Sequence, residues 1–306
     1  MGLPVGDELD RVTRMPRVAY VGPEGTFSHE LALEAYPGGE YIAAPSLPEV
    51  VAMAARKECD FGLVPVFNNN AQSIAQVHSA IVRHLGDVFV TEVRGHPIRH
   101  TLYGYGRLDQ VRVVSSKDVV FSQVSIWQGK HLPRVERRFA ESTAEAVEAL
   151  LREKNPEEAA IGGKLARQYG VPVLAEGIQN EPNRTLFATL SPVPPEAFGL
   201  EHMLIYGVGA SPEETIHFLQ MLAVNGFVIT MMATVAAPRA QEPEITLFDV
   251  DAMPSFRQLA QSSSFGDLAG RLLLRYPRFR FAGGYGGGTI DSELRRLQRT
   301  QIQHSP

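Results

Sequence analysis

A chain of 306 residues is long enough for one large two-lobed domain or for two domains, each with a substantial buried core. Its 44% hydrophobic and 21% charged residues exclude a disordered chain, and a formal charge of −5 spread along the length leaves no nucleic-acid footprint. Cys59 is the single cysteine, which excludes an intrachain disulfide framework or a cysteine metal cluster and fits a reducing, cytoplasmic compartment.

No run approaches the length of a membrane span, and Met1 to Met15 mixes charges with Pro and Gly, reading as a loose leader without an apolar secretory core. Histidines occur without an HExxH or similarly spaced ligand set. Isolated ones such as His78 and His131 read as surface or core-edge positions, and no metal or other cofactor is expected. Small molecules are the expected partners, with no nucleic acid and no membrane.

From Arg17 to about Leu190, β-rich runs alternate with helical patterns: "RVAYVG", a helix through "SHELALEAY", "YIAAP", a helix through "LPEVVAMAARKE", then "CDFGLVPV". That order predicts βαβ units and a mostly parallel sheet. The strand "VRVVSS", the helix "TAEAVEALLREK" and the strand "EAAIGG" repeat the logic and predict a second α/β lobe. Three prolines between Ser191 and Gly199 mark a linker. Beyond it, strand, helix, strand, strand, helix ("SFRQLAQSSSFGDLAGRLLLRY") and strand form the βαββαβ order of a ferredoxin-like unit. Its first helix opens with Ser211, Pro212 and Glu214, a capping box with Pro at the first helical position. The tail from Asp291 is polar.

Three segments carry candidate chemistry. "YVGPEGTFSHELA" ends a strand in Gly22, Pro23 and Gly25 and opens a helix with Thr26 and Ser28, where hydroxyls and backbone N–H groups suit an anion or simply cap the helix. "GLVPVFNNNAQSI" ends an apolar strand in three amides. These and Ser73 either turn and cap the chain or orient a polar ligand without titrating. "PNRTLFATL" places Asn183 and Thr185 at the mouth of a strand, where Thr is a good β-former and, with help, a proton relay. "GVGASP" at Gly207 lacks the third glycine and acidic partner of a dinucleotide fingerprint.

In this order, and followed by a ferredoxin-like unit, these segments resemble the prephenate dehydratase family over roughly Arg17 to Tyr285. The family's "GPxGTFSxxA" is matched by Gly22 to Ser28 and closes on Leu31 and Ala32. Its "PxENSxxGS" appears as Pro65 to Ser73, with Phe67 for Glu, Asn69 for Ser and Gln72 for Gly. Its "SHPxxxxQ" keeps Ser116 and Gln123 but has Lys117 and Asp118 for His-Pro, and its "NxTRF" reads Asn183, Arg184, Thr185, Leu186, Phe187, keeping the Thr and losing the Arg.

The resemblance implies a catalytic domain over 17–198 with two α/β lobes built like a periplasmic binding protein, an ACT-like domain over 200–290, and a polar tail over 291–306. The ACT-like domain implies a homodimer or homotetramer. Its effector motifs are altered at Gly209 to Ser211 and at Ala233 to Ala236, so phenylalanine feedback is not expected. The implied reaction converts prephenate, a dicarboxylate, or a close cyclohexadienyl acid to phenylpyruvate with loss of water and CO2, and Thr185 is the catalytic residue. Asn68, Asn69, Ser73, Gln123, Asn183 and Phe187 are expected to contact the ligand, and Thr26 and Ser28 to take a carboxylate. Phe67 and Leu186 are expected to line the same pocket, and Lys117 and Arg184 to replace the lost cation. Two alternatives stay open: a decarboxylase that leaves the ring unaromatised, because Phe67 and Leu186 remove charge from the pocket, and a non-catalytic protein that binds a small acid. In a third reading the altered motifs are packing replacements in an ordinary dehydratase.

Overall fold

The structure, a computed structural model, describes residues 14–68, 72–181, 183–195, 202–235, 243–252 and 274–285. The leader, most of the expected second helix of the C-terminal unit and the polar tail lie outside the described residues.

The first lobe is laid down as β1 (Arg17–Val21), α1 (Phe27–Ala35), β2 (Glu40–Ala44), α2 (Leu47–Ala55), β3 (Phe61–Asn68), β4 (Gln72–Ser73), α3 (Ala75–Arg83) and β5 (Phe89–Ile98). Thr26 and Ser46 cap α1 and α2, each side-chain oxygen accepting from the backbone N–H three residues on. The second lobe follows as β6 (Thr101–Gly104), β7 (Val113–Ser116), α4 (Asp118–Gln123), α5 (Ser125–His131), β8 (Glu136–Phe139), α6 (Thr143–Glu153), β9 (Glu158–Gly162) and β10 (Val173–Glu176). The chain then returns to the first lobe as β11 (Asn183–Ser191). Its two crossings lie side by side: Ile178 N–H donates to the His100 carbonyl at 3.2 Å, and His100 N–H to Gln179 Oε1 at 3.1 Å.

The expected βαβ order holds, but the sheets are mixed. In the first lobe β1 is parallel to β2 and β3, whereas β11, arriving from the far lobe, inserts antiparallel between β3 and β5. The second lobe's sheet runs β10-β6-β9-β7-β8. The strand β5 and the helix α3 have no counterpart in the sequence-based reading. Most of β5 ("FVTEVRGHPI") is polar, Gly or Pro, so no period of two emerges from it.

After residue 201 come β12 (His202–Val208), α7 (Pro212–Val224), β13 (Phe227–Val235), β14 (Ile245–Ala252) and β15 (Phe279–Tyr285). The capping box at Ser211 and Glu214 is present. These strands do not form a separate sheet. They continue the first lobe's in the order β13-β14-β12-β15-β5-β11-β3-β1-β2. The joint is the pairing of Gly283 with Val90, at a φ of +134°, where a Cβ would stand 2.0 Å from the Val90 carbonyl oxygen. Only glycine fits there. One hydrophobic cluster spans the joint, holding Phe67, Val77, Leu186 and Ala188 together with Tyr206, Val235, Ile245 and Leu247. His78, expected at the surface or core edge, is buried in it: its Nε2–H donates to the Val66 carbonyl at 3.1 Å, leaving Nδ1 to accept from Tyr206 Oη at 2.6 Å. Among the described residues no helix is long and apolar enough to cross a membrane.

Candidate functional site

The insertion of β11 between β3 and β5 sets the site. In the two ladders Thr185 is opposite Asn68 on one side and His96 on the other. Directly opposed residues share a face of the sheet, so Asn68, Thr185 and His96 form a row across three strands. Asn68 Nδ2 donates to Thr185 Oγ1 at 2.8 Å and reaches Asn183 Oδ1 at 3.4 Å. One lone pair of the Thr185 hydroxyl is thereby engaged, and its O–H stays available to donate. Asn183 and Phe187 lie on the same face as Thr185, two residues to either side. The Phe187 ring meets His96 edge-on at 6.2 Å.

The helix α1 covers this face with two glutamates, Glu30 and Glu34, that no motif in the sequence marks. Glu30 is 3% exposed, and its Oε1 accepts from Leu165 N–H of the second lobe at 3.3 Å. A Cβ on Gly163 would lie 2.4 Å from the same oxygen, so glycine at 163 permits the close approach of the lobes. Glu30 Oε2 faces His96 Nε2 at 3.8 Å, and Glu34 Oε2 faces His96 Nδ1 at 3.5 Å. The other Glu34 oxygen is paired with Lys164.

At the crossing, His100 Nε2–H donates to Gln123 Oε1 at 2.7 Å, with the Phe27 ring edge-on to the imidazole. Burial pushes the His100 imidazole down, against the opposing influence of Gln123 and Glu30. In that neutral tautomer Nδ1 is an acceptor. Three buried nitrogens in this region, Asn183 Nδ2, His96 Nε2 and His100 Nδ1, have no hydrogen-bond partner. Native interiors rarely leave such atoms unpaired; Asn183 and His96 flank Thr185 in the ladders and His100 follows two residues beyond β5, a grouping that suits a polar ligand.

Other expected site residues sit differently. The Thr26 hydroxyl is engaged within its own turn, donating to the Val21 carbonyl at 3.1 Å and accepting from His29 N–H at 3.3 Å; Ser28 is buried beside it. Gly25 N–H donates to His29 Nδ1, and the His29 ring stacks on Tyr20, whose phenol is pushed up to about 12 by burial, Glu24 and Tyr169. Lys117 is exposed at the start of α4. Arg184, adjacent to Thr185, points to the opposite side of the sheet and donates to the Gly95 carbonyl at 3.3 Å. Asn69 lies outside the described residues, and for Ser73 only the strand pairing with Phe67 is described.

Phe67 and Leu186 require a correction. They were expected to line the pocket, yet they are 4% and 1% exposed and oppose each other directly in the β3–β11 ladder, on the face away from Thr185. A bulge at Val66 breaks the alternation of β3 and turns Phe67 into the core cluster, 5.4 Å from the His78 ring. Among the described residues no group of three or more His, Cys, Asp or Glu side chains is arranged to hold a metal ion.

Comparison with known proteins agrees with this architecture. A bifunctional chorismate mutase/prephenate dehydratase from Stutzerimonas stutzeri is 29% identical over 277 residues, covering 86% of this chain and 73% of its own. The chain spans about half the length of the counterparts from Neisseria gonorrhoeae and Pseudomonas aeruginosa. Among solved structures, a prephenate dehydratase in complex with L-Phe from Arthrobacter aurescens superposes with a TM-score of 0.72 at 22% identity, covering 94% of this chain and all of the other. GqqA, described as a novel type of quorum quenching acylase, gives 0.73 at 19% identity, covering 89% and 98%. At such identities these two establish the fold alone. The family profile for prephenate dehydratase matches residues 18–194, more than half of the chain and the whole of the Thr185 row. The chain belongs to the prephenate dehydratase family.

Proposed function

We propose that the chain is a prephenate dehydratase-like carbon–oxygen lyase that converts prephenate, or a close cyclohexadienyl acid, to phenylpyruvate with loss of water and CO2. The observation that carries this reading is the 2.8 Å bond from Asn68 to the Thr185 hydroxyl, set among buried unpaired nitrogens within the family-matched segment. In the reaction the ring carbon–carboxylate bond breaks, its electron pair enters the ring, and the ring carbon–oxygen bond breaks. The departing oxygen leaves as water by taking a proton, which Thr185 Oγ1 delivers. Asn68 polarises that hydroxyl, and Asn183 Nδ2 donates to a substrate carboxylate. Gln123 acts through His100, fixing its tautomer and orientation.

The test is to incubate the purified chain with prephenate and to identify every product by NMR and mass spectrometry. Phenylpyruvate is expected, and Thr185→Val is expected to lose about 100-fold or more in kcat. A dihydro-hydroxyphenylpyruvate would instead identify a decarboxylase that leaves the ring unaromatised, and unchanged prephenate would overturn lyase action on this substrate. Decarboxylation without aromatisation would be favoured by a pocket made apolar by Phe67 and Leu186. With both side chains in the core, that support falls away, and dehydration is preferred.

Residues 200–290 are proposed to be an ACT-like domain. The described order β12, α7, β13, β14 and β15 is consistent with this, although the expected helix before β15 lies largely outside the described residues. Assembly into a homodimer or homotetramer through this unit, and a cytoplasmic setting, belong to the same proposal.

A further inference from the structure

We infer that His96 is the proton reservoir of the site, a positioning residue that supplies the leaving hydroxyl through Thr185 and is itself resupplied from solvent through Glu34. The inference rests on the lyase reading above. Thr185 is an incomplete acid: after giving up its proton it is an alkoxide of very high basicity, so a second group must feed it. His96 is placed for this task, directly across the ladder on the same face, where opposed Cβ atoms stand about 5 Å apart. It is 4% exposed, and its Nε2 has no hydrogen-bond partner.

The surroundings of the ring suit a group that cycles between one and two N–H bonds. An imidazolium donates from both nitrogens: here Nδ1 faces Glu34 Oε2 at 3.5 Å, and Nε2, 3.8 Å from Glu30 Oε2 and without a hydrogen-bond partner, is the nitrogen left to serve Thr185. Glu30 is buried, whereas the Glu34 side chain is 46% exposed and gives the ring a route to bulk water. Each carboxylate is also tied to the second lobe, Glu30 to Leu165 N–H and Glu34 to Lys164, so the two acids are held around His96 when the lobes are together. Among the described residues of β5 on this side, Arg94 and Glu92 pair with each other.

The proton balance closes. One proton passes from His96 to Thr185 as Thr185 gives its own to the departing oxygen, and CO2 and water leave. His96 regains one proton from solvent through Glu34, so each turnover consumes one proton in total.

The experiment is kcat against pH for the full chain, His96→Gln and Glu34→Gln, with products followed by NMR and folding checked by thermal melting. Wild-type kcat is expected to fall on the alkaline side, because each turnover consumes a proton that the relay must draw from solvent. His96→Gln is expected to lose about 100-fold in kcat, with KM changed less than about threefold and the alkaline limb flattened. Glu34→Gln removes one of the two anions beside the ring, so its alkaline limb moves to lower pH; its half-exposed side chain keeps the test available should His96→Gln melt early. A His96→Gln enzyme within about threefold of wild type, or an alkaline limb unmoved in Glu34→Gln, overturns the inference while leaving the lyase reading intact. A wild-type chain that turns over no prephenate overturns both.

Discussion

Along β11, residues 183, 185 and 187 look to one side of the sheet and residues 184, 186 and 188 to the other, and the two sides have diverged differently from the family pattern. On the Thr185 side the family's Asn, Thr and Phe are kept, and the opposed Asn68 is kept with them. On the other side an expected Arg has become Leu186, and in the position directly across from it an expected Glu has become Phe67. Two losses that look independent along the chain are neighbours in the ladder. A Glu and an Arg at those two positions would oppose each other in the sheet, and exchanging a buried pair of opposite charges for well-packed apolar groups is often neutral or stabilising. With Phe67 and Leu186 buried on one face and Thr185 on the other, changes on the first face should be read in stability while changes on the second are read in turnover.

The sharpest way to break this division is Leu186→Arg. If Leu186 belonged to the pocket, the substitution would restore family chemistry. In the core cluster it buries a charge against Phe67, with an expected loss of about 3–5 kcal/mol in denaturant unfolding. Adding Phe67→Glu supplies the opposing charge, and a double-mutant cycle should return a favourable coupling of about 1 kcal/mol or more. A Leu186→Arg chain that melts with the wild type would place that side chain against solvent or ligand instead.

How much of this was legible in the sequence follows from the same geometry. The alternation of β1, α1, β2, α2 and β3 was readable because each element carries its own hydrophobic period within five to nine residues. Thr185 and Asn68 were readable because short motifs surround them. His96 was not: it comes from a strand without an alternating pattern, 89 positions from Thr185, and only the insertion of β11 between β3 and β5 makes them neighbours. The facing of Phe67 was also hidden, because one bulged residue at Val66 reverses it and bulges leave little trace in a single sequence. Glu30 looked like an ordinary first-turn acid, and its burial depends on Gly163 and Leu165 of the other lobe.

A second test on the core side uses acid. Burial lowers the His78 imidazole to about 4, well below the unfolded value, so between those limits the unfolded chain binds the extra proton. Stability linked to His78 is complete above about pH 6.5 and is lost as pH falls toward 4, with a total of about 3 kcal/mol. The melting temperature of the wild type should drop across this window more steeply than that of a His78→Gln chain. Parallel curves would mean that the Val66–His78–Tyr206 link opens without resistance and does not tie β12 to the first lobe.

The smallest effect is expected on the Thr185 side, from Asn68→Ala. The half-buried amide donates to Thr185 Oγ1 and Asn183 Oδ1, and its removal deletes polar contacts without opening the core cluster. Stability should shift by about 1 kcal/mol, while kcat should fall about tenfold because the hydroxyl is no longer polarised or aimed. Asn68→Asp is the informative companion. It keeps the shape but offers only acceptors when ionised, so the Thr185 O–H would donate to the new carboxylate and be withdrawn from the substrate. A further loss in kcat in Asn68→Asp would tie Asn68 to turnover through the direction of one hydrogen bond. Equal melting losses with unchanged kcat in both variants would make Asn68 a strand-end cap and move the chemistry away from this row.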